Sequence, residues 1–195
     1  MSDWTVILIS LLCSAFAAGS EIAFLSSNKL RIELERSQGS FSARLIWNFV
    51  KSPSHFIATM LLANNVALVV YGMFMTERIL TESTVASFLP EGFHSKGSVL
   101  VIQTFLSTMI ILVAAEFIPK VIFRINPNAI LNWLALPIRG IYFLLYPIVW
   151  TIIGMSRFLM KTFFRVSIAE EKPVFGRVDL DLYIREITTK NPQAE

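Results

Sequence analysis

Apolar residues do not alternate along this chain or recur once a turn; they gather in runs of about 20 residues or more. Three runs, Trp4 to Leu25, Phe56 to Met75 and Ser98 to Phe123, are each long enough to cross ~30 Å of hydrocarbon as a helix. A fourth apolar segment, Ala129 to Met155, is interrupted by Pro137, Arg139, Gly140, Pro147 and Gly154, which predicts pieces too short to span untilted. Beyond it, Arg157, Lys161 and Arg165 recur at i, i+4 and i+8, a basic stripe suited to a helix lying along the interface. The expected architecture is therefore an all-α membrane protein with three transmembrane helices, a cytoplasmic helical hairpin and a juxtamembrane belt helix; four spans is the alternative.

The hairpin is predicted between the first two runs. Asn28 is a candidate N-cap, Leu30 and Leu34 share a helical face, and Gly39 ends that pattern. Leu45, Ile46, Phe49 and Val50 then recur at helical spacing until Pro53. Residues 1–165 are read as the membrane domain. Residues 166–195 turn charged and polar, and read as a linker or the start of a cytoplasmic region.

Composition agrees with a lipid solvent: 54% of the residues are hydrophobic and 16% charged. The net charge of +3 is concentrated rather than spread, so it argues for topology and not for nucleic acid as a partner. Lys29, Arg31, Arg36, Arg44 and Lys51 lie between the first two runs, and Lys120 and Arg124 come at the end of the third. The loop between the second and third carries Arg78 and Lys96 against Glu77, Glu82 and Glu91. By the positive-inside rule the N-terminus is outside and the C-terminus cytoplasmic. The first residues include Asp3 and no basic residue, which argues for a retained span over a cleaved leader. The lone Cys13 forms no intramolecular disulfide.

Polar residues break the runs at "AAGSEIAF" (Ser20, Glu21), "LLANNVAL" (Asn64, Asn65) and "AAEFIPK" (Glu116). Measured from Lys29, Pro53 and Arg124 at helical rise, Ser20, Asn64 and Glu116 lie at similar depths of ~12–16 Å. The set holds a hydroxyl, amide carbonyls and carboxylates without His or Cys, a donor set for a hard cation such as Mg²⁺, Ca²⁺ or Na⁺. Pro119 adds to it by removing the N–H that would bond the Ala115 carbonyl. The competing reading is structural: Ser and Asn in spans bond neighbouring helices, and Lys120 is placed to pair with Glu116 at i+4. Glu21 points about 100° away from Ser20, so only one of them faces a shared site squarely. No nucleophile–base pair, HExxH or phosphate loop occurs near the spans, so an enzyme is not expected.

These same residues resemble the CorC/CNNM (cyclin M) family, whose first membrane helix carries a small-Ser-Glu motif. Its Gly-Asn-Asn motif is similar to Ala63-Asn64-Asn65, its Gly-Glu-x-x-Pro-Lys motif to Ala115 through Lys120, and its Asn-Pro pair to Asn126-Pro127. Alanine replaces the family glycine at Ala63 and Ala115. The resemblance implies an inner-membrane homodimer of three-span domains with a belt helix, followed in the family by cytoplasmic CBS domains absent from this chain. It also implies Mg²⁺ export in exchange for Na⁺, the ion held by Ser20, by Asn64 or Asn65, and by Glu116. The alternative expectation is a membrane anchor and dimerisation module for cytoplasmic sensing domains.

Overall fold

A helix in hydrocarbon satisfies its own backbone, so each apolar run has only one economical local structure. The computed structural model describes residues 3–78, 87 and 95–164, which are helical apart from short connections. Helix α1 is Asp3–Ser26 and helix α4 is Pro53–Arg78. The third run forms α5, Lys96–Ile110, then a π-helical segment, Ile111–Phe117, then α6, Ile118–Ile125.

Between α1 and α4 lie the two predicted short helices, α2 (Lys29–Ser37) and α3 (Phe41–Val50). The Asn28 side chain accepts from the Arg31 N–H and Ser40 from the Ala43 N–H, each satisfying an orphan donor of a first turn. Gly39 takes φ 91°, the left-handed conformation that lets the chain reverse after α2.

Helix α7, Pro127–Leu159, departs from expectation. Pro137 and Pro147 lie inside one continuous helix instead of dividing it, and a π-helical turn, Met160–Phe164, continues it. Each proline removes one hydrogen bond, but breaking the helix in an apolar setting would expose several unpaired groups, the larger cost. Four helical stretches are thus long and apolar enough to cross a membrane: Asp3–Ser26, Pro53–Met75, Lys96–Ile125 and Pro127–Phe163. Arg165, the last residue of the basic stripe, the 166–195 region and most of the loop between α4 and α5 lie outside the described residues.

The contacts divide the chain into two units. Unit 1 holds residues 1–22 and 60–125. Its apolar core includes Ile7, Tyr71 and Met75, with Leu11, Phe74 and Ile111 packed against them, so that each of the three predicted spans contributes.

Unit 2 holds residues 23–59 and 126–195. Here the Phe24 and Phe56 rings stack at 4.2 Å, and Phe49 packs on Phe56 at 5.3 Å and on Tyr142 at 5.0 Å. The α7 face that meets this core repeats every three or four residues through Asn128, Leu131, Ala135 and Ile138. A polar seam accompanies it: the Asn28 N–H donates to Asn128 Oδ1 at 3.2 Å, and Asn132 Nδ2 donates to Glu35 Oε2 at 2.8 Å. Glu35 Oε1 also accepts from Arg31 Nε at 2.8 Å. On the other face of α2, Arg36 pairs with Glu33 through two nitrogens and lies 5.3 Å from the Trp47 ring centroid. The hydrogen bonds to Glu33 raise the Arg36 pKa further above its already high ordinary value, so this guanidinium keeps its charge at all accessible pH.

Candidate functional site: polar groups inside the three predicted spans

All the residues proposed from sequence as cation ligands belong to unit 1. On α1, small residues let a neighbouring helix approach closely: Ala17 and Ala18 are buried, and a Cβ built on Gly19 would stand 2.7 Å from the Phe123 ring of α6. Ser20 comes next. Its side chain is fully buried, and among the described residues its hydroxyl has no hydrogen-bond partner. An unpaired buried hydroxyl costs about 1–3 kcal/mol. Glu21, the adjacent residue, is only partly buried.

Helix α4 separates the two asparagines. Asn64 is buried and its Oδ1 accepts from the Ser14 hydroxyl at 2.6 Å, joining α4 to α1. Asn65, one residue and about 100° further round, is exposed. Of the pair, the inward position is Asn64.

Glu116 lies in the π-helical segment. The Ile118 N–H donates to the Val113 carbonyl five residues back, so the π register runs up to Pro119, which stands in the first turn of α6 without an N–H to donate. The inserted residue also rotates the remainder of the helix, and π-turns of this kind recur at functional sites. The Glu116 side chain is 34% exposed, and its Oε2 lies 3.5 Å from Lys120 Nζ. The i, i+4 pairing anticipated as an alternative is therefore formed.

Ser20, Asn64 and Glu116 share no direct hydrogen bond or ion pair among the described residues, where no group of three His, Cys, Asp or Glu side chains gathers either. These three side chains offer one carboxylate, one idle hydroxyl and one amide. Four further buried polar side chains escaped the sequence reading: Ser10 and Ser14 on α1, and Gln103 and Ser107 on α5. Their signal was spacing, since Ser10 and Ser14, and Gln103 and Ser107, each recur at i, i+4 on one helical face.

Residues 5–193 match the family described as the cyclin M transmembrane N-terminal domain. The chain belongs to that family. Among known relatives, the UPF0053 inner membrane protein YfjD of Escherichia coli (strain K12) is 25% identical over 151 residues, 76% of this chain and 32% of that protein. A UPF0053 protein of Haemophilus influenzae (strain ATCC 51907 / DSM 11121 / KW20 / Rd) is 22% identical over 190 residues, 97% of this chain and 42% of that protein. The chain thus spans less than half the length of either relative. Apolar helices of spanning length and membership of a cyclin M membrane family place this domain among integral membrane proteins.

Proposed function

We propose that this cyclin M membrane domain exports Mg²⁺ in exchange for Na⁺, through a site to which Ser20, Asn64 and Glu116 contribute. The single observation that carries the reading is the fully buried, unpartnered Ser20 hydroxyl inside a span. A serine serving only to pack would spend its hydroxyl on a neighbour or on its own helix, as Ser10 does on the Ile7 carbonyl at 2.9 Å. Glu116 supplies the charge that a hard cation needs, and its half-buried π-helical setting supports that role. In this reading the domain is a homodimer in the inner membrane with its N-terminus outside, Asn64 is the ligand of the asparagine pair, and the ion is cargo.

The Glu116–Lys120 contact favours a second reading, in which the carboxylate is structural and the domain anchors and dimerises regulatory regions without transport of its own. The two separate in proteoliposomes. Mg²⁺ efflux from loaded vesicles containing the protein, dependent on a Na⁺ gradient, is expected; intact Mg²⁺ binding without flux would establish the anchor reading instead.

A further inference from the structure

Among the described residues, the buried polar side chains of unit 1 all belong to α1, α4 or α5: Ser10, Ser14, Ser20, Asn64, Gln103 and Ser107. Their order along the helices is informative. Ser14 bonds Asn64, which fixes those two at one level, and Ser20 lies six residues, ~9 Å, toward one end of the bundle. In the other direction Tyr71 is seven residues, ~10 Å, along α4 from Asn64. The fully buried Tyr71 hydroxyl faces Ser107 without closing a hydrogen bond of good geometry. Gln103 lies one turn beyond Ser107 on the same face of α5, ~6 Å further. From Ser20 to Gln103 the track covers ~25 Å, close to the thickness of the hydrocarbon layer.

Such a track is not what packing alone selects. The outward faces of the same helices are apolar: Leu8, Leu12, Leu61, Val69, Val101 and Phe105 are exposed. Where α5 does place hydroxyls outward, at Thr104 and Thr108, each is spent on its own helix, on the carbonyls of Leu100 and Thr104 at 2.8 and 2.7 Å. Inward, by contrast, lie a hydroxyl at Ser20 and another at Tyr71 that close no hydrogen bond among the described residues. Neutral oxygens at intervals of a turn or two are what a cation needs when it leaves a carboxylate: each replaces part of a hydration shell, and none binds tightly enough to trap it.

We propose that Tyr71, Ser107 and Gln103 line the second half of the translocation path, carrying the cation between the Asn64 level and the membrane face opposite Ser20. The proposal rests on the transport reading. In the topology expected from charge, that face is external and this half is the release path. Tyr71 and Ser107, buried and facing each other here, separate in the state that releases the ion.

The test uses the full-length protein in liposomes, with Mg²⁺ as the probe, and reads three quantities for Tyr71→Phe, Ser107→Val and Gln103→Leu: flux, Mg²⁺ binding and thermal stability. The expected result is flux lowered about ten-fold or more in each, the effect of losing one hydrogen bond to a charged species on a rate, with Mg²⁺ affinity and stability near wild type. Ser107→Thr, which keeps the hydroxyl, restores flux. Variants that lose stability and flux together, with Ser107→Thr no better than Ser107→Val, would show an interhelical packing role and overturn the proposal. Wild-type flux that persists in all three variants would overturn it as well. A wild-type protein without flux would instead refute the transport reading on which it stands. As an independent check, Ser107→Cys in a Cys13→Ser background is expected to react with an impermeant thiol reagent from the outer face, faster during Mg²⁺ turnover. No reaction under any gradient in a transporting protein would contradict the path.

Discussion

The α2–α7 seam of unit 2 and the polar face of unit 1 handle buried polarity differently. Along the seam the polar side chains are tied to one another and to backbone: Asn128 holds the N–H of Asn28, and Glu35 accepts from both Arg31 and Asn132. Asn132 Oδ1 is an exception, without a partner among the described residues although the same amide donates through its nitrogen. In unit 1 the comparable groups are neutral, spaced along three apolar helices, and partly idle, as at Ser20 and Tyr71. A connected network holds one geometry, because each bond broken leaves a buried group unsatisfied. Idle hydroxyls have capacity to receive something. In the proposed reading the α2–α3–α7 assembly is structural and the polar face of α1, α4 and α5 handles the ligand.

Perturbing packing gives the largest effect and sharpens the contrast least. Gly19→Val drives a branched side chain into the Phe123 ring, where even a Cβ stands 2.7 Å away, and is expected to destabilise the fold by about 3 kcal/mol. Phe123→Ala in the same chain should recover part of that loss, read as melting temperature in detergent. Next, Glu35→Ala removes the acceptor of both Arg31 and Asn132 and is expected to cost about 2 kcal/mol of stability with Mg²⁺ affinity unchanged. A large drop in affinity at constant stability would break the division of labour between the units.

Ser14→Ala leaves the buried Asn64 Oδ1 without its donor and should cost about 1 kcal/mol. Because it also frees that carbonyl, Mg²⁺ affinity is expected to hold or rise, as measured by isothermal titration; a marked fall would make Ser14 a ligand and not a tether. The smallest effect belongs to Arg36→Gln, which breaks a solvent-facing pair with Glu33 and is expected to leave both melting temperature and Mg²⁺ affinity nearly unchanged.

The long elements were legible because hydrocarbon permits few alternatives: the three runs became α1, α4 and the α5-to-α6 stretch nearly at their expected limits. The hairpin was legible through local chemistry at Asn28 and Gly39. Two backbone features were not. Pro137 and Pro147 read as breaks because sequence rules weigh the lost hydrogen bond, while the continuous α7 reflects the greater cost of unpaired backbone in an apolar setting. The π-register before Pro119 leaves no mark in composition at all.

The site was partly legible. Glu116, Ser20 and the asparagine pair stood out as polar interruptions, but Asn64 and Asn65 could be told apart only once the buried face of α4 was fixed by Met60, Ala67 and Tyr71. Ser10, Ser14, Gln103 and Ser107 were overlooked because a single hydroxyl or amide in an apolar run resembles tolerated noise. Helical phase is what reveals them, and phase has meaning only relative to a known interior.

Whether the polar face of unit 1 holds a divalent cation through Glu116 is the central question, and the most direct measurement is the Mg²⁺-dependent thermal stabilisation of Glu116→Gln beside the wild type. At ~100 times its dissociation constant, Mg²⁺ should stabilise the wild-type fold by about 2.7 kcal/mol. In Glu116→Gln that stabilisation should vanish, while the ion-free protein remains as stable as wild type or more so, an intramembrane charge having been removed. A Mg²⁺-dependent shift of unchanged size in Glu116→Gln, or an ion-free variant destabilised to the same extent as Lys120→Met, would contradict the assignment and make Glu116 the partner of Lys120 alone.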